Sequence, residues 1–275
     1  MARPGIRSVL VTLGDEGGPE VETSEGPERG RSAEPGLDPG LRALVRLSAE
    51  VALGSDADFA PVLDDALAEA DPIEVEEALI QSYLFVGYPG ALNAIAAWRL
   101  RSGMDAPPGD EDRREDWASR GVEVCEEVYG SAYPPLRTNI STLRPELDRW
   151  MVEEGYGKVL GRPGLALWRR ECCIVAILAV LGAGPQLRSH LRGALRTGTA
   201  VATLAEVLDA VWATVPEHRR GTMSGVWDRV RTRWEEGWSS EIRRSSRSKW
   251  NVQGYKSSMS WERAQILLMA SCSHW

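Results

Sequence analysis

Two polar residues, Glu171 and His190, fall on faces of predicted helices that are otherwise apolar. Glu171 lies on the same helical face as Val175, and His190 is in register with Leu187 and Ala194, because residues three and four apart share one side of a helix. A carboxylate beside an imidazole in an apolar site can hold the imidazole ready to give or take a proton near neutral pH. This pair is therefore the first candidate for chemistry in the sequence.

The connection between the two predicted helices determines whether these side chains can meet. A short Gly182-Ala183-Gly184 turn separates the helices, which predicts antiparallel neighbours and brings Glu171 within reach of His190. Two interpretations stay open. The pair forms an acid–base site, or it is a buried hydrogen bond that only fixes the packing of the two helices.

Hydrophobic spacing predicts that the fold is all-α. Apolar residues recur at helical intervals between Gly and Pro boundaries, and no segment shows the clean two-residue alternation of a strand. Asp38 and Pro39 are typical of a helix start, and Thr203 with Glu206 fits a capping box. The predicted helices are 39–54, about 56–70, 72–87, 89–103, 117–129, 145–150, 165–181 and 185–197, with a further helix from Thr203.

The sequence also contains an internal repeat with an offset of 128 residues, the distance from Arg42 to Arg170. At this offset the helix order and the Gly and Pro boundaries agree in both halves, which indicates a duplicated helical unit. The first copy has Ala43 where the second has Glu171, and a valine at position 62 where the second has His190. Both polar residues are absent from one copy, so we infer that they act as a pair and that only the second copy carries a site.

Composition divides the chain into five predicted segments. Residues 1–37 are rich in Gly, Pro, Glu and Ser and are predicted to be disordered. Residues 38–103 form the first, degenerate repeat, 104–120 a linker and helix start, and 121–238 the second repeat with the candidate site. Residues 239–275 are a basic Ser- and Trp-rich tail, which we interpret as an appended or aberrant segment, such as the product of a shifted reading frame, and not as a nucleic-acid arm.

Charge and composition exclude several classes of protein. The 275 residues carry a net charge of -8, which argues against nucleic-acid binding as the main function because such proteins present a basic face. The longest apolar run, 174–184, is about half of the roughly 20 residues of a membrane span, and the N-terminus has no convincing signal peptide. Four Cys make no disulfide framework in a chain this long, so the expected location is cytoplasmic.

Several motifs resemble those of the carboxymuconolactone decarboxylase family, which includes alkylhydroperoxidase D-like proteins, and they occur in the family's order. They are 170–171, 186–190 (QLRSH), 193–195 and 198 in the second half, 76–79, 83, 87–90 and 93–94 in the first half, and 156–160 with 162–165 between them. The resemblance covers about 38–103 and 121–212. It implies a two-repeat form of that helical fold and a homo-oligomer with sites near subunit contacts.

One branch of the family consists of peroxidases that use a Glu, a Cys-x-x-Cys pair and a His. Glu171 and His190 match that pattern, but the positions of the cysteine pair are occupied by Ala183 and Gln186. A peroxidatic cycle needs a thiolate and a resolving thiol. Cys172 and Cys173 lie elsewhere and are predicted to be small buried apolar residues; peroxidase activity is therefore the alternative function.

The decarboxylase branch keeps the His without the thiols, and the resemblance implies loss of CO2 from a small carboxylated lactone or enol acid without a cofactor. His190 is then the proton donor and Glu171 its orienting partner. Candidate substrate-binding residues are Arg188 and Arg170 for the substrate carboxylate and Gln186, Tyr133 and Tyr156 for the pocket. We propose no metal, because His218 and His274 lack companions at ligand spacing. A non-catalytic oligomeric protein is the third hypothesis.

Overall fold

Every regular element in the described part of the chain is helical. The computed structural model describes residues 36–54, 57–109 and 113–250, with side chains up to residue 237. The α-helices are α1 Pro39–Val51, α2 Phe59–Glu69, α3 Pro72–Ser102, α4 Trp117–Tyr129, α5 Tyr133–Leu143, α6 Pro145–Trp150, α7 Leu167–Leu181, α8 Gly184–Arg196, α9 Val201–Ala210 and α10 Glu217–Trp250. A π-helical segment, Met151–Leu160, joins α6 to the loop before α7, and short 3-10 turns flank α4. The all-α prediction is confirmed.

Aspartates begin the first helices, as the sequence predicts for α1. The Asp38 carboxylate accepts a hydrogen bond from the Leu41 backbone N–H at 2.7 Å, and Pro39 occupies the first turn. Asp71 caps α3 in the same way, with the Ile73 N–H at 2.8 Å. These caps satisfy N–H groups that have no partner within the helix.

The predicted helices 72–87 and 89–103 form one element, α3, that bends between them. At Gly87 the backbone adopts φ 70° and ψ 174°, a conformation that a side chain would strain. Pro89 follows and lacks the N–H that would continue the helical hydrogen bonds. Gly and Pro therefore mark a bend here, where the sequence predicts a break.

The capping box predicted at Thr203 is wrong. Helix α9 begins two residues earlier, at Val201, and Thr203 is completely buried inside it. Glu206 is engaged elsewhere, since its carboxylate accepts a hydrogen bond from the Leu37 backbone N–H at 2.8 Å. A tertiary contact with the start of the first helix has replaced the local cap.

Three elements were not predicted: α5, the π-helical segment and α10. Helix α10 extends to residue 250 and so includes the first part of the segment predicted as a tail. Most of that tail, 251–275, and most of the predicted N-terminal segment, 1–35, lie outside the described residues. None of the described helices has the length and apolar character that a membrane span requires.

Helix α7 is at the centre of the structure. Its side chains are buried without interruption from Arg170 to Val180, and α1, α8 and α9 pack around it. Helix α1 begins at Pro39 and α7 at Leu167, which is the predicted repeat offset of 128 residues. The duplication stays a prediction, because matching helix starts do not test whether the copies superpose.

A buried ion cluster connects α3 to α7 and to the loop between the π-helical segment and α7. The Arg170 guanidinium, which is fully buried, donates to Glu77 at 2.8 Å and to the carbonyl oxygens of Arg162, Pro163 and Leu165. Arg162 donates to the same Glu77 carboxylate at 3.0 Å. Glu77 therefore balances two arginines from the other half of the chain.

Replacing Glu77 by Gln is expected to lower the free energy of unfolding by about 3 kcal/mol, because the buried Arg170 guanidinium loses its carboxylate. Urea unfolding followed by circular dichroism measures the change. The control is Glu115→Gln, which removes the carboxylate of an exposed pair with Arg113 and is expected to have little effect. Equal losses in the two variants would contradict a structural role for this cluster.

Candidate functional site

The structure brings Glu171 and His190 into direct contact. His190 Nδ1 and Glu171 Oε2 are 2.9 Å apart. Glu171 is completely buried and His190 is 8% exposed. Helices α7 and α8 pack against each other on either side of the short turn. Because Nδ1 is bound to the carboxylate, Nε2 is the ring nitrogen that is left to act on a substrate.

Helices α4, α7 and α8 come close together around the Glu171 carboxylate. Gly193 on α8 faces it, and a Cβ added there would lie 2.8 Å from Glu171 Oε2 and 2.8 Å from a methyl group of Val128 on α4. Glycine thus allows α4, α7 and α8 to meet around the buried acid. The other carboxylate oxygen, Oε1, is buried and has no hydrogen-bond partner among the described residues.

Two tyrosines lie close to this acid. Their hydroxyl groups, on Tyr129 at the end of α4 and Tyr156 in the π-helical segment, are hydrogen-bonded to each other, and the rings pack edge to face with centroids 5.6 Å apart. Burial raises the pKa of both phenols, and the negative charge of Glu171 raises it further. Both hydroxyls therefore remain protonated. One donates to the other, so one hydroxyl hydrogen of the pair is left for another acceptor.

The first half of the chain forms a wall of the site. Phe85, on α3, packs edge-on against the imidazole of His190, with ring centroids 6.2 Å apart and planes at 81°. Val86, the next residue of α3, lines a cleft of about 390 Å³, and His190 is not one of the residues that line this cleft. Its lining residues are Val51, Ala52, Gly54, Phe59, Val86, Pro89, Gly90, Asn93 and Leu181.

The predicted arginines are not brought to His190. Arg170 is engaged in the buried cluster with Glu77, and this placement favours a structural role. Arg188 is two residues from His190 on α8, so the 100° rotation per residue turns it about 200° away. The positive charge of Arg188 lowers the pKa of Arg192.

The other predicted pocket residues lie at different distances from the pair. Tyr156 reaches the Glu171 region through its bond with Tyr129. Tyr133, at the start of α5, contacts Cys125 and accepts a hydrogen bond from Arg137 at 3.3 Å. Gln186 is exposed in the first turn of α8.

Sequence reasoning missed three residues at this site. They are Phe85, Val128 and Tyr129, which come from helices α3 and α4. Their spacing is that of ordinary core residues, so no local signal identifies them.

The described cysteines are buried thiols. Cys125, Cys172 and Cys173 are free thiols that are completely buried. Burial raises the pKa of the Cys173 thiol to about 11 and that of Cys125 to about 12, and it raises the pKa of Cys172 as well. Within the described residues, no group of three or more His, Cys, Asp or Glu side chains is placed to hold a metal ion.

Gly193→Ala is expected to destabilise the protein by about 1–3 kcal/mol, because the added methyl group overlaps both the Glu171 carboxylate and Val128. The matched control is Gly221→Ala on α10, where nothing lies within 4 Å of an added Cβ and alanine favours the helix. Thermal unfolding measures both variants. A Gly193→Ala protein as stable as the parent would contradict the close packing described.

The buried thiols are expected to resist alkylation by iodoacetamide in the folded protein at pH 8. A thiol with a pKa of about 11 is only about one part in a thousand thiolate at that pH, whereas a free cysteine is about a quarter ionised. Mass spectrometry of peptides containing Cys125, Cys172 and Cys173 measures the labelling, with the urea-unfolded protein as the positive control. Rapid labelling of the folded protein would contradict the assignment.

Comparison with known proteins gives partial matches. No protein-family model matches the chain. The chain is 26% identical over 183 residues to Peroxisomal protein 2 of Schizosaccharomyces pombe, which covers 63% of this chain and 84% of the yeast protein. It is 29% identical over 90 residues to 4-carboxymuconolactone decarboxylase of Acinetobacter baylyi, which covers 32% of this chain and 67% of the bacterial protein. The chain is thus similar, over about a third of its length, to a 4-carboxymuconolactone decarboxylase.

Proposed function

We propose that this protein is a carboxymuconolactone decarboxylase-like enzyme that moves a proton with His190. The reaction is a cofactor-independent decarboxylation, or a related proton transfer, on a small carboxylated lactone or enol acid. The observation that supports this most directly is the 2.9 Å contact between His190 Nδ1 and a fully buried Glu171 carboxylate. The similarity to a 4-carboxymuconolactone decarboxylase agrees with it.

The reaction requires charge stabilisation and one proton. When the substrate carboxylate leaves as CO2, the electron pair of the broken carbon–carbon bond remains on the substrate as a dienolate. That dienolate takes a proton at carbon, and His190 Nε2 is the proposed donor. The imidazole is then neutral and regains its proton from water.

Glu171 is proposed to act through the imidazole. Its carboxylate accepts a hydrogen bond from Nδ1–H, which fixes the ring orientation and stabilises the protonated ring before transfer. Tyr129 and Tyr156 stay protonated near the same carboxylate. They therefore add polarity to the site without taking the proton that His190 transfers. Phe85 shields one side of the ring from water.

Two alternative functions are compatible with the same fold. Peroxidase activity is disfavoured because the described thiols are buried with raised pKa values and residues 183 and 186 are not cysteines. A non-catalytic protein remains the second alternative, in which the Glu171–His190 hydrogen bond serves packing alone.

Assembly and location are part of the proposal. We propose a homo-oligomer with a small-molecule substrate and without nucleic-acid or membrane partners, as the sequence predicts. The predicted location is cytoplasmic; the name of the yeast relative, Peroxisomal protein 2, supplies a peroxisomal location as the alternative.

The activity is tested by measuring CO2 release from 4-carboxymuconolactone and related unsaturated lactone acids. His190→Ala is expected to lower kcat by at least about 100-fold, the contribution of a general acid. The matched control is His218→Ala, because this histidine is exposed on α10, and its activity is expected to equal that of the parent. Activity that survives His190→Ala would contradict the assigned proton donor.

His190→Gln separates catalysis from packing. A glutamine can still donate a hydrogen bond to Glu171 but cannot transfer a proton at neutral pH. The proposal expects this variant to be folded and inactive. If the parent protein releases no CO2 from any of these acids while His190→Gln changes only its stability, the non-catalytic alternative is correct.

A further inference from the structure

Helix α8 carries three arginines on one side. Arg188, Arg192 and Arg196 are four residues apart, which places them in a row along the helix; we call them the α8 arginine row. None of the three forms an ion pair with a carboxylate in the described part of the chain. By contrast, the half-buried Arg99 and Arg169 pair with carboxylates.

The charges in this row are partly removed from water. Each of the three arginines is half-buried, and burial lowers the pKa of Arg192. The positive charges of Arg188, Arg196 and Arg233 lower it further, and Arg233 comes from α10, which packs against α8. Like charges that are gathered in partly desolvated surroundings repel one another unless an anion compensates them.

Arg196 is held in a defined position at one end of the row. Its Nε atom is buried and has no hydrogen-bond partner among the described residues. Its guanidinium lies against Gly130, where an added Cβ would be 2.0 Å from Nη2. The backbone of Gly130 has φ 52°, a conformation that favours glycine, and the guanidinium occupies the space that a side chain would fill. The end of α4 thus forms one wall beside the row.

The row is separate from the candidate active site. His190 faces α7, whereas Arg188 and Arg192 lie two residues before and after it and point to the opposite side of α8. A ligand on the row therefore does not contact the imidazole.

We propose that the α8 arginine row binds a phosphate group carried by a small molecule. Guanidinium groups present paired N–H donors that match the oxygens of a phosphate, and such charge-assisted hydrogen bonds are among the strongest in proteins. A phosphate dianion also neutralises several positive charges at once. Beside the guanidinium groups of Arg188 and Arg192, the Nε of Arg196 is a further donor without a partner in the described part of the chain.

Isothermal titration calorimetry of the full chain with inorganic phosphate and with pyrophosphate tests the proposal, at a constant ionic strength of about 0.15 M. The expected result is saturable binding at one site per chain. Arg192→Gln is expected to raise Kd by at least about tenfold, since it removes a charge-assisted hydrogen bond. The matched control is Arg149→Gln, which removes the same charge from an exposed position on α6 and is expected to leave Kd unchanged.

Two further variants keep the result interpretable. Arg192→Lys keeps the positive charge but loses the paired N–H donors of the guanidinium group. This variant is expected to bind phosphate more weakly than the parent while remaining folded by circular dichroism. His190→Gln is expected to bind phosphate like the parent, which separates this site from the proposed activity.

The proposal is overturned if neither anion binds to the parent protein, or if Arg149→Gln weakens binding as much as Arg192→Gln does. It is also overturned if Arg192→Gln changes the oligomeric state in light scattering while the parent binds no phosphate. In that case the row is a contact with an acidic face of a second copy of the chain.

Discussion

A carboxylate that is completely removed from water must be compensated where it lies, and in this protein that requirement falls on Glu171. His190 supplies a hydrogen bond to one oxygen, and Gly193 allows the neighbouring helix to come close enough for this bond to form. The rest of the arrangement follows from that contact. Helix α7 is buried over most of its length, α8 returns across it after a short turn, and α4 closes the third side with Val128 and Tyr129. The same demand for compensation explains why His190 lies inside an apolar part of the core.

A second buried charge joins the two halves of the chain. Arg170 is adjacent to Glu171 in sequence, yet it points away from the site and binds Glu77 on α3 together with three loop carbonyl oxygens. Consecutive residues of α7 therefore have different tasks, because a helix rotates each residue by 100° from the one before it. One fixes the loop before α7 and the other faces α8. The chemical proposal depends on this separation, since an arginine close to Glu171 would compete with His190 for the carboxylate.

The sequence was sufficient for features that depend on local order. The Asp38 cap and the all-helical fold follow from residue types and from spacing of three and four residues. The spacing and a short turn placed Glu171 within reach of His190, and the structure supplies the contact itself. Features that depend on contacts between distant segments were not predictable. The Tyr129–Tyr156 hydrogen bond joins an α-helix to a π-helical segment, and no periodicity identifies such a segment. Thr203 is the opposite case. The capping-box motif is present in the sequence, but Glu206 accepts a hydrogen bond from the distant Leu37 N–H.

The contact between Phe85 and His190 limits which substitutions α3 can accept. The polar pair belongs to α7 and α8, but the ring that packs against His190 belongs to α3, and so does the carboxylate that fixes Arg170. A change in the volume of Phe85 therefore alters the packing of the imidazole, although neither polar residue of the pair is changed. These contacts extend the packing requirements of α7 to a helix that carries neither residue of the pair.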